Sequence, residues 1–304
     1  MNFNLTSLSL GAAVLFATTG PMFASDASAP PASPFSGQFE GWVAGFKNSD
    51  PAGPNLTGTD LDIAAVVAFG ADLRLRMDLA DVISVQIDGS IDGTGNSSTD
   101  ERYGGGKLVG AHVNWNDPEM GLLGAFGAVG STSQYYNGTE DNANFWAAGA
   151  EGQLYLDAAT LYLQAGYLNS NLYTGGSPED SFHNALFVRG VGRYFVSPDL
   201  RLQAEFSYAK GKQDTDEKDM NIVGWGARGD YQVASNVSIF AAYTGAHYDN
   251  GVPAGDTGSF TEHQLKAGLT LNLGGPDLLT TDRHGPNLDM PWLSHWVSAG
   301  DLLD

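Results

Sequence analysis

The residues of this 304-residue chain best suited to chemistry are charged, and they sit at every second position of stretches that are otherwise apolar. In "NALFVRGVGRYFVSPDLRLQAEFSYAKGKQ" (184–213), Leu186, Val188, Gly190, Gly192 and Tyr194 share one face, while Arg189 and Arg193 lie on the other. After "SPD" the alternation restarts, with Leu200, Leu202, Ala204, Phe206 and Tyr208 opposed by Arg201, Gln203, Glu205 and Ser207. Arg228 and Asp230 continue the polar face, and the N-terminal third adds Glu40, Asp62, Asp72, Asp78, Asp88 and Asp92 against Arg74 and Arg76. Guanidinium and carboxylate groups in such rows transfer no atoms. They orient polar solutes and select ions, or they pair and fill the space between them.

Other chemistries find less support. Catalysis by a hydroxyl needs a base and an orienting acid held beside it. His112 shares a polar face with Asn114, and His183, His247 and His263 fall at or beside long connections, none with a serine or aspartate at a recognisable spacing. A lipid hydrolase working at the outer leaflet is the one enzyme class these histidines leave open. The acidic clusters "TDE" (99–101), "TED" (139–141), "PED" (178–180) and "DTDEKD" (214–219) lack the glycine and bidentate glutamate of a calcium loop. "GGG" (104–106) precedes no helix and reads as a loop, not a phosphate cradle. Cysteine is absent, which removes thiol chemistry and disulfides. No catalytic residue, metal or cofactor is expected.

Elements able to position these charges follow from the alternation, whose period of two is that of a strand. It predicts about twelve strands, near 36–47, 61–79, 84–93, 107–116, 121–131, 143–156, 160–169, 184–196, 200–211, 220–233, 237–248 and 262–274. Short connections ("LADVI", "NDPEM", "DAAT", "VSPD", "VASN") take turns with long ones such as "NSDPAGPNLTGT" and "NSNLYTGGSPEDSFH". A soluble sandwich gives no reason for that regularity. A transmembrane antiparallel up-and-down β-barrel does, with tight periplasmic turns, long extracellular loops and both ends on one side. The apolar face then meets lipid, and the charged face lines the interior. Trp115, Tyr194 and Tyr231 near short turns, and Trp146, Tyr208 and Tyr243 nearer long loops, fit headgroup-level aromatic belts.

In a ring of about twelve strands the second and the eighth stand opposite each other. The expected pore lining is therefore an acidic wall (Glu40, Asp62, Asp72, Asp78, Asp88, Asp92) facing a basic wall (Arg189, Arg193, Arg201, Arg228). A formal charge of −21 argues against nucleic acid, whose phosphates need a basic footprint.

The termini read differently. An apolar run from Leu8 to about Ala17, followed by small residues, predicts a signal peptide (1–27) cleaved after Ala24 or Ala27, although no Lys or Arg precedes it. Residues 28–35 form a Pro/Ser/Ala-rich spacer, 36–274 the barrel and 275–304 a periplasmic tail. In that tail Trp292, Leu293, Trp296 and Val297 recur at helical spacing, so it is expected to plug the periplasmic mouth, lie on the inner leaflet, dock a partner or stay disordered.

"KAGLTLNL" (266–273) resembles the last-strand assembly signal of Gram-negative outer-membrane β-barrels, through Lys266, Gly268, Leu269, Leu271 and Leu273. It departs from the common pattern by ending on a leucine, with about thirty residues to follow. The small, glycine-rich barrel looks porin-like. That resemblance implies an outer-membrane location and, as partners, membrane lipid, lipopolysaccharide, the barrel-assembly machinery and small solutes. The expected function is passive diffusion of small polar or ionic solutes. A sealed structural or adhesive barrel, or the outer-leaflet lipid hydrolase, would be the alternative.

Overall fold

A computed structural model describes residues 35–49, 66–95, 102–136, 139–171, 181–213, 218–251 and 258–300. Asp62, the signal peptide, residues 28–34 of the spacer and most of the long connections lie outside these. Twelve strands follow in chain order: β1 (Phe35–Ser49), β2 (Val66–Ala80), β3 (Ile83–Thr94), β4 (Arg102–Asp117), β5 (Gly121–Tyr136), β6 (Thr139–Leu156), β7 (Ala159–Ser170), β8 (His183–Ser197), β9 (Leu200–Gln213), β10 (Lys218–Ala234), β11 (Val237–Asp249) and β12 (Ser259–Leu273). Each pairs antiparallel with its neighbour in sequence, and β1 also pairs with β12, closing the sheet into a barrel.

The alternation sets which side chains point where. On β12, Leu265, Leu269, Leu271 and Leu273 are outward and exposed, while Glu262, Gln264, Thr270 and Asn272 are inward and buried. Such a surface would be unstable in water, and lipid is the solvent that satisfies it. No helix among the described residues is long and apolar enough to cross a membrane, so the strands do the crossing.

Two details escape the simple period. First, β4 starts at Arg102 and not at residue 107, so the glycines at 104–106 are strand. A bulge between Tyr103 and Gly105 shifts the register there. This turns Tyr103, which simple alternation would face outward, into the interior, where it is 1% exposed.

The second detail concerns the tail, for which plugging the barrel is one of the expected alternatives. After β12 the chain reverses at Gly274, whose φ of +127° suits glycine and whose missing Cβ avoids Ser36. It then enters the lumen as helix α1 (Leu278–His284), an extended stretch, and helix α2 (Leu293–Ala299). α1 sits at the end with the short turns, where Leu278 N donates to Pro198 O. α2 packs among β4, β5 and β6 near the ends with the long connections. The segment climbs the lumen because its apolar residues find cover there: Leu288, Leu293, Trp296 and Val297 are each at most 2% exposed.

Candidate functional site: the occupied lumen

Every described charge assigned to the two walls points inward, as the alternation requires, and each has found a partner. On the basic side, Arg189 grips Asp289 of the luminal segment with both terminal nitrogens, at 3.1 and 2.8 Å, and also reaches Glu205 at 2.7 Å. Arg193 donates to Asp282 at 2.8 Å and to the Asn287 carbonyl at 2.9 Å. Arg201 pairs with Asp230 at 3.1 Å. Arg228 holds Glu40 through two bonds of 3.0 and 2.7 Å, and Asp230 at 2.8 Å. Two-pronged contacts of this kind are the strong form of the ion pair.

The acidic side is similarly engaged. Asp72 accepts from the Trp42 indole at 3.1 Å, and Asp78 pairs with Arg76 at 2.9 Å. Asp92 accepts from the Tyr103 hydroxyl at 2.6 Å. Asp88 lies 2.9 Å from His112 Nε2, and the other ring nitrogen of that fully buried histidine lies 2.8 Å from Glu151. Tyr162 donates to Glu151 at 2.7 Å. The chain thus places the His112 ring between two carboxylates, a locked polar network under the luminal segment. The other named histidines face different partners: His183 bonds the Ser181 carbonyl, His247 pairs with Thr261, and His263 with the Tyr243 hydroxyl. Among the described residues no cluster suited to a metal is present.

The luminal segment divides the interior. Towards the turns it is held by polar contacts. Gln86 donates to the Leu288 carbonyl and accepts from its amide, Gln164 donates to the Asp289 carbonyl, and Arg76 to that of Gly285. Asp289 belongs to the segment and to no strand. Burial alone would raise its carboxyl, but Arg189, with Arg74 and Arg193 beyond, outweighs that and holds it well below the usual carboxylate range. Towards the loops the lumen wall turns apolar, and Leu293, Trp296, Val297 and Ala299 pack with Phe126, Phe145, Leu168 and Phe187. The strand β4 glycines make room. A Cβ at Gly110 would strike Met290, and one at Gly106 would strike Ser294.

Space remains beside the segment on the opposite wall. A polar cavity of about 190 Å³ lies between Asp289–Ser294 and a wall carrying Glu40, Trp42, Asp72, Arg74, Glu205, Arg228 and Lys266. Lys266 stands 4.5 Å over the Trp42 ring. A second cavity of about 40 Å³ follows towards the turns, bounded by Arg193 and Arg201, and it shares Arg74, Gln203, Arg228 and Asp289 with the first. Both acidic and basic wall residues therefore border these two cavities.

Sequence reasoning missed the acids on the segment, Asp282 and Asp289, as partners of Arg193 and Arg189. A signal was present. β5 reads "GLLGAFGAVG" and is apolar on both faces, which in a sheet means cover on both sides.

Comparison with known proteins agrees with this geometry. The family model described as "Porin subfamily" matches residues 78–271, well over half the chain. Among solved structures, an outer-membrane channel of Pseudomonas putida F1 superposes with a TM-score of 0.50 at 11% identity, over 82% of this chain and 100% of that one. The translocator domain of the autotransporter NalP from Neisseria meningitidis gives 0.47 at 12% identity, over 79% and 88%. The KdgM porin gives 0.44 at 9%, over 76% and 98%. No curated protein matches the chain. The likeness to the Pseudomonas channel is one of fold. The closed barrel with its lipid-compatible exterior and the family match lead to one conclusion: the chain belongs to the porin subfamily and is an outer-membrane channel of a Gram-negative bacterium.

Proposed function

We propose that this protein is a narrow pore for passive diffusion of small ions and polar solutes, with the C-terminal segment as its constriction. The observation that carries this reading is the polar cavity between Asp289–Ser294 and the Glu40/Arg228 wall. Its charges are fixed by mutual hydrogen bonds, so they present a steady field to a passing ion. Glu40 and Asp72 border the larger cavity and Arg201 the smaller, while Arg228, paired with Glu40, borders both, so a solute meets acidic and basic groups together.

Single-channel recording in planar bilayers tests it. Small conductance steps are expected from the wild type, and Arg228→Ala should shift the reversal potential under a salt gradient towards cation selectivity. A silent wild type would favour the second reading, a sealed structural barrel, which draws its support from the apolar packing of α2. Catalysis has no comparable support, since His112 is locked between carboxylates with no accessible hydroxyl in its contacts. For assembly, the exposed Leu269, Leu271 and Leu273 offer the machinery an apolar outward face, and Lys266 and Gly268 face inward. Gly268 is needed there because a Cβ would strike the Phe240 ring.

A further inference from the structure

The membrane-facing surface of the barrel is not evenly convex. A groove of about 1090 Å³ crosses it, following one hydrogen-bonded ladder from Leu73 past Gly89, Val109 and Val129 to Trp146. Its floor is lowered at Gly89, where a side chain would meet no atom within 4 Å. These positions are outward, so any occupant in the bilayer is apolar at this level.

One ladder row nearer the long connections, the outward residues change character. Lys107 stands opposite Ser131, Ser131 opposite Asn144, and the Asn171 amide donates to the Asn144 carbonyl. All four border the groove. Directly below this polar row, Trp146 packs against Tyr167 with ring centroids 5.5 Å apart, as aromatic side chains do at the headgroup boundary. Lys107 is exposed and emerges on the lipid side of a chain whose net charge is −21. An ammonium at the edge of hydrocarbon is costly unless it meets an anion.

We propose that this groove binds one outer-leaflet lipid with a phosphate-bearing headgroup. The phosphate is held by Lys107 and the Ser131–Asn144–Asn171 row, and an acyl chain lies along the floor past Gly89. The inference concerns the outer face alone and stands whether or not the lumen conducts.

Native mass spectrometry of the full barrel, in micelles doped with phosphatidylglycerol or with diacylglycerol, tests it. One phosphatidylglycerol should stay bound at low lipid ratios, and diacylglycerol should not. Lys107→Gln should weaken retention about fivefold, the loss expected for one lysine at an anionic surface. Gly89→Phe should also weaken it by filling the floor, with the headgroup row untouched. Heat-dependent gel migration shows that each variant is folded, and the two variants act independently. Equal retention by wild type and both variants would overturn the proposal. So would a wild-type oligomer that Gly89→Phe dissociates, because the groove would then hold a second copy of the chain.

Discussion

The two halves of the luminal segment meet the barrel by different physics. From α1 to Asp289 directional contacts predominate, beside the apolar burial of Leu288: Arg193 to Asp282, Arg189 to Asp289, and Gln86 to both backbone groups of Leu288. From Leu293 to Ala299 apolar packing predominates, with Trp296 against Phe187 at 5.7 Å between centroids, and His295 adds a buried contact with Glu262 at 3.0 Å. Apolar burial is not subject to ionic screening or titration and supplies most of the driving force. Buried ion pairs add little net stability, since desolvation offsets attraction, but they fix register. The α2 half therefore retains the segment, and the Asp282–Asp289 half positions it. The same division explains where the polar cavities lie, because a wall that must receive Trp296 cannot also be wet. The polar space is left beside the segment on the other wall.

The largest expected effect breaks the apolar half. Trp296→Ala should cost about 3–5 kcal/mol, the range for deleting a buried aromatic side chain. Thermal unfolding in detergent should show this loss equally at low and high salt. A salt-dependent loss would mean that the α2 half is not held as described.

Breaking the directional half gives a conditional effect. Arg189→Ala strands Asp289 and Glu205 and should cost about 3 kcal/mol, as removal of one member of a buried pair does. Asp289→Ala added to it should cost less than the sum of the two single changes, because the second removes a charge already unpaired. Strict additivity in a double-mutant cycle would count against the pairing.

A smaller effect tests the reversal that admits both halves. Gly274→Ala forces an alanine into a positive-φ turn and a contact with Ser36, at a cost of about 1–3 kcal/mol. Increased protease access to the C-terminal segment, with the barrel still heat-modifiable, would be its signature.

The smallest effect is one of pH. Asp289 titrates lower in the folded protein than its ordinary value of 3.8, so its contribution is complete above that value and drains away as the pH falls through the folded one. The melting temperature should show no Asp289 component between pH 8 and pH 5. Below about pH 4 it should fall, and less steeply in Asp289→Asn. An Asp289-dependent fall near neutral pH would contradict the assignment.

Much of the barrel was legible because its cause is local. The period of two in 184–213 sets Arg189 and Arg193 inward and Leu186 and Val188 outward, whatever lies beyond the strand. The short turns at Pro198–Asp199 and Ser235–Asn236 give antiparallel neighbours, and an even count returns the chain to the side where it began. Bilayer and wall charges follow from those facts without knowledge of any contact.

What decided the site is not local. The sequence shows that Arg193 and Arg189 face inward, but their partners Asp282 and Asp289 stand 89 and 100 residues away. Only closure of the ring creates the enclosed volume in which they meet. Tyr103 turns inward through a bulge that its neighbours allow and alternation does not record. By itself the sequence determined a membrane barrel with a charged interior, because each residue's facing depends on the strand alone. The tertiary structure decided that the interior is occupied. Burying Trp296 and Leu293 against Phe126 and Phe187 gains free energy only once β5, β6 and β8 share one lumen.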